Sequence, residues 1–151
     1  MESFDIEAVM AIEGSLAPAP HWPRDAYARM LEPGAVPARV ALVAETAERE
    51  ILGFAIALFI PPEAELETIA VAAGAQRQGI ARQLFYDLAG ELRKSGVTEV
   101  TLEVRGSNAG AQGFYASLGF TPTRVRRGYY NDPKEDAIVM ASQFAGRSGA
   151  V

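Results

Sequence analysis

Glu103 and Tyr115 combine the chemistry and the position expected of groups that transfer protons. Glu103 lies in the run Leu102-Glu103-Val104 of a predicted strand, and an unpaired carboxylate is costly to bury there. The alternation of polar and apolar residues along this strand fits a solvent-facing Glu103 equally well. A carboxylate can accept a proton as a general base, so both interpretations stay open.

A second carboxylate, Glu67, competes with Glu103 for the role of base. It lies on the preceding predicted strand, and strict alternation places it on one strand face with three neighbours, Glu65, Ile69 and Val71. Either glutamate can accept a proton directly or through a chain of water molecules.

Tyr115 is the candidate acid because a phenol can donate its proton at close range. It lies two helical turns beyond Asn108, which is predicted to cap the start of its helix. The commoner fate of a helical aromatic residue is packing in the core, here against Phe114 or Phe120.

A predicted strand, turn and helix in residues 64–84 supply a candidate phosphate site. The helix has two apolar columns at i, i+4 spacing, namely Ile80, Leu84, Leu88, Leu92 and Ala81, Phe85, Ala89. The first N–H groups of a helix have no partner inside it, and together with the helix dipole they bind phosphate. Gly79 has no Cβ, so a ligand's oxygens can approach the backbone there.

Comparison of this turn with three known phosphate-binding motifs indicates which phosphate ligand it binds. Gly74 and Gly79 have P-loop spacing, but Ile80-Ala81 replaces the Lys and Ser or Thr that a P-loop needs. No G-x-G-x-x-G turn of a dinucleotide-binding fold follows the strand either. The run Gln76-Arg77-Gln78-Gly79-Ile80-Ala81 resembles the acyl-CoA loop, Gln/Arg-x-x-Gly-x-Gly/Ala, of the GCN5-related N-acetyltransferase (GNAT) superfamily.

This resemblance implies acetyl-CoA as cosubstrate, without a metal, on the fold of that superfamily. The fold is α+β, with a mixed, mostly antiparallel sheet, a splayed parallel strand pair at its centre, and helices on both faces. The amides of residues 77–82 would hold the pyrophosphate, and the backbone of residues 69–71 would pair with pantetheine. The cofactor-binding residues predicted on this basis are Ile69, Ala70, Val71, Arg77, Gln78, Gly79, Ile80, Ala81, Arg82 and Asn108.

The motifs that follow resemble the bacterial ribosomal-protein-alanine N-acetyltransferases. They are Leu102-Glu103-Val104-Arg105-Gly106-Ser107-Asn108, Phe114-Tyr115-x-x-Leu118-Gly119-Phe120, Arg126-Arg127-Gly128-Tyr129-Tyr130 and Glu135-Asp136-Ala137-Ile138-Val139-Met140. The resemblance implies that Glu103 is the proton acceptor, Tyr115 the proton donor and Asn108 an acetyl-CoA contact. It also implies that Tyr129 and Tyr130 belong to a loop that roofs the peptide groove.

The reaction expected from this resemblance is direct transfer of acetyl to the N-terminal α-amine of a protein, such as a ribosomal protein. An α-amine, with a reference pKa of about 7.7–8.0, loses its proton more readily than lysine at about 10.4. With no cysteine in the chain, a cysteinyl acetyl-enzyme is excluded. The alternatives are acetylation of a small-molecule amine or a lysine side chain, or an acyl-CoA-binding module without catalysis.

Length, net charge and hydropathy limit the other classes of protein to which this chain could belong. The 151 residues predict a single domain over 1–144 and a disordered tail over 145–151. A net charge of −5 without a basic stripe argues against direct nucleic-acid binding, and no apolar run approaches a membrane span of about 20 residues. We expect a cytoplasmic monomer or homodimer.

The predicted order of helices and strands assigns each candidate site residue to an element of the fold. Helices are predicted over 5–16, from 23 or 24 to 31, over 80–94 and over 108–118. Strands are predicted over 39–44, 51–60, 98–105, 119–125 and 136–141, and the strand within residues 64–84 comes after the second of these. Residues 126–135 are predicted as a loop, and Pro18-Ala19-Pro20 as a break before an exposed His21. Only about four residues precede the first helix, so the strand that usually opens the superfamily's fold is expected to be short or absent.

Overall fold

The computed structural model describes residues 1–15, 22–131 and 133–144. The predictions for the Pro18-Ala19-Pro20 break, His21 and the 145–151 tail lie outside these ranges. The helices are α1 (Ile6–Ser15), α2 (Arg24–Met30), α3 (Ile80–Lys94) and α4 (Ala109–Ser117). The strands are β1 (Ala38–Glu45), β2 (Ile51–Ile60), β3 (Glu63–Val71), β4 (Glu99–Arg105), β5 (Thr121–Tyr130) and β6 (Glu135–Gln143).

The six strands form one mixed sheet in the order β1-β2-β3-β4-β6-β5. All neighbours are antiparallel except β3 and β4, which run parallel because α3 crosses over between them. These two strands pair only over Glu63↔Glu99, Ala64↔Val100 and Glu65↔Thr101. The sheet is therefore split at its centre beyond Glu65, which confirms the predicted fold class.

Helices cover both faces of the sheet. The predicted apolar side of α3 is buried against one face through Leu84, Leu88 and Leu92. On the other face, α1 and α2 pack on Phe54 and Ile56 of β2. The burial of these apolar side chains is the main term that holds helices on a sheet.

A buried carboxylate joins α1 to α2. Glu13 accepts hydrogen bonds from the Tyr27 hydroxyl and, at 2.5 Å, from the Trp22 backbone N–H. The ring of Trp22 packs against Tyr27, with centroids 5.5 Å apart, so both residues join the core between these helices and the sheet.

The N-terminal segment has the structure that the sequence predicts, whereas the last hairpin does not. A short 3-10 helix over Ser3–Asp5 leads directly into α1, so no opening strand is present in residues 1–5, as expected. By contrast, β5 continues to Tyr130 instead of ending at Val125. The predicted 126–135 loop is wrong over its first half, because these residues pair with β6 through Arg126↔Ala137 and Tyr130↔Glu135.

A β-bulge in β3 contradicts a second prediction, that Glu67 shares a strand face with Ile69 and Val71. Ile56 pairs with Thr68 while the next residue of β2, Ala57, pairs with Leu66, which leaves Glu67 as the extra residue. Beyond the bulge, Ile69 packs against the α3 side of the sheet. Glu67 therefore does not share a face with Ile69 and Val71, since strict alternation fails at this residue.

Candidate active site

The split in the sheet leaves one edge of β3 unpaired with β4 over residues 66–71. The Ala72 N–H donates to the Leu52 carbonyl at 2.8 Å, so that residue faces β2. Backbone groups of successive strand residues point in opposite directions, and those of Ile69 and Val71 therefore point into the split. The Val71 carbonyl accepts a hydrogen bond from the Gln76 amide at 3.0 Å, which fixes the start of the turn after β3.

The turn between β3 and α3 is shaped by two left-handed residues. Arg77 has φ 64° and Gly79 has φ 82°, a conformation that non-glycine residues rarely adopt. No heavy atom lies within 4 Å of the position that a Cβ would take on Gly79, so the space above this residue is open. Sequence predicted the turn and its glycine; the left-handed Arg77 was not predicted.

The start of α3 presents backbone donors beside this open space. Gly79 precedes the helix, and no side chain caps it. The Gln83 N–H bonds back to the Gly79 carbonyl at 3.0 Å, and the N–H groups of Ile80, Ala81 and Arg82 precede that first helical bond. Free donors of this kind, together with the helix dipole, can bind an anion, and binding of pyrophosphate at this turn stays a prediction.

The side chain of Arg82 connects α3 to α4. Its guanidinium donates to the Ser117 hydroxyl at 2.9 Å and lies 5.9 Å from the centre of the Phe114 ring. Arg82 was predicted as a backbone contact for pyrophosphate. Its side chain also ties the anion-binding turn to the helix that carries Tyr115.

Glu103 lies on the sheet face opposite α3, because Leu102 and Val104 on either side are buried in the core under that helix. The Glu103 side chain is 18% exposed and accepts a hydrogen bond from Arg126 Nη1 at 2.5 Å. It is neither fully solvated nor unpaired. The solvent-facing interpretation is therefore too simple, and the role of Glu103 as a base stays a prediction.

Two arginine–tyrosine stacks line the same region. Arg126 lies 4.3 Å over the Tyr129 ring, and Arg105 lies 4.2 Å over the Tyr130 ring. Hydrogen bonding to the Glu103 carboxylate, followed by burial, raises the pKa of the Tyr129 phenol. The two tyrosines therefore lie on a strand beside Glu103, not on the loop that the sequence predicted.

Tyr115 has a packed ring and a hydroxyl without a partner. Its ring lies 5.4 Å from Phe114 and 5.8 Å from Phe120, measured between centroids, as the core interpretation predicted. Within the described residues its hydroxyl makes no hydrogen bond, yet it is not sealed in the interior. Burial first, and then the nearby Tyr130, raise the pKa of Tyr115 to about 12.

Tyr130 interacts with both candidate proton-transfer groups, Glu103 and Tyr115. It interacts electrostatically with Tyr115 and also with Glu103, and burial followed by the Glu103 charge raises the pKa of Tyr130. Glu103 and Tyr115 therefore both interact with the same tyrosine, and they lie on β4 and on the helix that follows it.

The competing base, Glu67, is held differently from Glu103. Both of its oxygens accept hydrogen bonds from Arg39, at 2.8 and 3.2 Å. Glu103 receives one hydrogen bond from Arg126 and keeps an oxygen that the guanidinium does not occupy. Each carboxylate oxygen has two lone pairs, so these hydrogen bonds exclude neither glutamate as a base. Glu103 is the one that interacts with Tyr129 and Tyr130.

Asn108 caps α4 as predicted. Its Oδ1 accepts a hydrogen bond from the Ala111 N–H at 3.0 Å. The cap satisfies one of the free donors at the helix start and fixes the direction of the helix that carries Tyr115. A contact between Asn108 and acetyl-CoA stays a prediction.

Arg105 and Arg126 are residues that the sequence reasoning missed as parts of the site. Arg126 was assigned to a loop, and Arg105 to the end of a strand, without partners. The signal available was their position near the glutamates and tyrosines of the same motifs, but neither pairing follows from local sequence.

The split sheet, the open strand edge and the anion-binding turn together define the architecture of an acyl-CoA N-acyltransferase. The family model for the acetyltransferase (GNAT) family matches residues 6–120. The chain belongs to this family, and the resemblance stated from the sequence is confirmed.

Two relatives refine this assignment. The [ribosomal protein bS18]-alanine N-acetyltransferase of Escherichia coli (strain K12) is 47% identical over 98 residues, which cover 64% of this chain and 66% of that enzyme. The crystal structure of the ribosomal-protein-S18-alanine N-acetyltransferase from Escherichia coli has a TM-score of 0.81 at 36% identity, over 95% of this chain and 90% of that chain.

The fold alone does not choose the acceptor. A spermidine N-acetyltransferase chimera from Vibrio cholerae and hSSAT also has a TM-score of 0.81, at 19% identity, over 99% of this chain and 96% of that chain. Within the described residues, no helix is both long and apolar enough to cross a membrane.

Proposed function

We propose that this protein is an acetyl-CoA-dependent N-acetyltransferase that modifies the N-terminal α-amine of a protein, as its Escherichia coli relatives are named for doing. The observation that carries the proposal is the split of the sheet, because Glu103 lies on β4 beyond its last pair with β3 and Tyr115 lies on α4, the helix that follows β4. An open strand edge and the anion-binding turn that follows it lie at the same split. A donor with a pyrophosphate and an amide-containing arm requires this combination.

The residues present fit acetyl-CoA. The amides of residues 77–82 would hold its pyrophosphate, and the open space above Gly79 leaves room for the phosphate oxygens. The backbone of residues 69–71 would pair with the pantetheine arm, Asn108 would add a contact, and when bound the thioester supplies the acetyl group. Ile69 and Val71 direct their backbone groups into the split, whereas those of Ala70 face β2, so the predicted backbone pairing falls to Ile69 and Val71.

Glu103 and Tyr115 would handle the two protons. Glu103 would remove the proton from the acceptor ammonium, directly or through water. Tyr115 would supply a proton to the departing sulfur, because the phenol is protonated at neutral pH. No step requires an acyl-enzyme, and transfer would occur directly between bound donor and acceptor.

An α-amine suits this arrangement better than a lysine side chain. Its lower reference pKa, about 7.7–8.0 against about 10.4, leaves a larger fraction uncharged near neutral pH. A single glutamate then suffices as base. A ribosomal protein as acceptor would place the reaction in the cytoplasm.

A mass-spectrometric assay tests the proposal. The purified protein, incubated with acetyl-CoA and a peptide that begins with Ala or Ser, should add one acetyl group at the N-terminus. The same peptide with a blocked N-terminus and an internal lysine should stay unmodified. Glu103→Gln should lower turnover about 100-fold, the usual range for loss of a general base, with acetyl-CoA affinity retained.

Acetylation of spermidine, with the free peptides left unmodified, would overturn the choice of acceptor. Full activity in Glu103→Gln would overturn the choice of base. In that case Glu67→Gln is the next variant to measure, because Glu67 lies on the neighbouring strand.

A further inference from the structure

We propose that Arg126 is a positioning residue that holds the carboxylate of Glu103 ready for proton transfer. This inference rests on the proposed function, because Arg126 is expected to act only through Glu103. The two residues are separated by 23 positions in the chain, and their nitrogen and oxygen atoms lie 2.5 Å apart.

The sheet order makes this contact specific. β6 lies between β4 and β5, so Arg126 must extend across a whole strand to reach Glu103. Arg126 pairs with Ala137 and Glu103 pairs with Val139, both on β6. With strands about 4.8 Å apart, the guanidinium spans roughly two strand spacings, a distance that only a long side chain covers.

Arg126 is itself held in place. Its guanidinium lies 4.3 Å over the Tyr129 ring, and Tyr129 interacts with Glu103. Each of the three side chains therefore contacts the other two. A charge-assisted hydrogen bond restricts the carboxylate more strongly than a neutral one does, and ring stacking restricts the arginine.

The form of the contact suits a base. Arg126 makes one hydrogen bond to Glu103, whereas Arg39 makes two to Glu67. Arg126 thereby fixes the orientation of the carboxylate through one of its two oxygens. An ordinary surface ion pair would contribute little, and removing it would leave turnover unchanged.

Arg127 provides a matched control. It is the next residue on β5, it carries the same charge, and its side chain is 87% exposed at 3.9 Å from Asp136. It lies outside the proposed site. Arg127→Ala therefore makes the same change in net charge on the same strand without touching Glu103.

The experiment measures kcat, KM for both substrates and thermal unfolding, with an Ala-initiated peptide as acceptor. Arg126→Ala should lower kcat about 10-fold or more, as expected when a reacting group loses its orientation, with KM for acetyl-CoA unchanged. Arg126→Lys should recover part of the loss because it keeps a charged donor. Arg127→Ala should match the wild type.

A double variant decides whether Arg126 acts through Glu103. In the Glu103→Gln background, Arg126→Ala should cause no further loss, because the two residues act as a unit. An equal fold-loss in both backgrounds, or Arg126→Ala behaving like Arg127→Ala, would overturn the inference while the proposed function stands. Absence of transfer by the wild type, or full activity in Glu103→Gln, would overturn both.

Discussion

The chemistry of individual residues in this protein is set by their neighbours more than by their type. Glu67 and Glu103 are both strand glutamates on the same face of the sheet, yet Arg39 occupies both oxygens of one and Arg126 a single oxygen of the other. The ring of Tyr115 similarly packs in the core, while its hydroxyl makes no hydrogen bond within the described residues. Its role as acid depends on that hydroxyl and not on the ring.

Replacing Tyr115 with Phe tests this separation of ring and hydroxyl. The ring contacts with Phe114 and Phe120 are retained, so we expect a folded protein with unchanged acetyl-CoA affinity. Turnover should fall about 100-fold, within the range for loss of a general acid. Steady-state kinetics and near-UV circular dichroism check the two parts, and wild-type turnover in the variant would leave Tyr115 as a core residue only.

At the scale of elements, the turn between β3 and α3 contains a left-handed non-glycine residue, Arg77, that its sequence does not predict. Arg77 and Gly79 are both left-handed, and they turn the chain so that the first donors of α3 face open space. A residue held in a sparsely populated conformation often marks a functional site. Arg82 then joins this turn to α4.

Gly79→Ala tests the turn. At φ 82° an added Cβ should cost about 1–2 kcal/mol of folding free energy. It also projects into the space proposed for phosphate, so KM for acetyl-CoA should rise by about 10-fold or more, equivalent to about 1.4 kcal/mol. Kinetics and urea unfolding separate the two effects.

Gly74→Ala is the matched control, since this glycine has no positive φ and an added Cβ would also meet open space. It should leave KM for acetyl-CoA unchanged. A lower stability of Gly79→Ala without any change in KM would show that the turn does not bind the donor.

For the whole molecule, buried tyrosines predict sensitivity to alkaline pH. Burial raises the pKa of Tyr27, and Glu13 raises it further, while the pKa of Tyr115 is about 12. Both exceed the unfolded value of about 10. Between these values the unfolded chain has released protons that the native chain still holds, so the free energy of unfolding falls as pH rises.

Urea unfolding at pH 9, 10.5 and 11.5 measures this loss. Because the pKa of Tyr115 is about 12 in the folded chain and about 10 in the unfolded chain, Tyr115 alone should account for roughly 2 kcal/mol between pH 9 and 11.5. Tyr115→Phe should therefore flatten the dependence, and Tyr27→Phe should flatten it further. A free energy of unfolding that stays constant up to pH 11.5 would contradict the burial of these phenols.

Sequence alone determined the features that depend on local periodicity and local motifs. The apolar columns of α3, the glycine turn before it, the Asn108 cap and the family all follow from residues close together in the chain. The mixed sheet followed from the order of the elements and from the family resemblance.

Only the tertiary structure decided which side chains meet. One extra residue at Glu67, set by register with β2, moved Ile69 and Val71 to the other face of the sheet. Pairing with β6 turned a predicted loop into the end of β5 and brought Arg126 to Glu103. Register and ion pairs between distant segments depend on cross-strand contacts, which leave no signal in a local pattern.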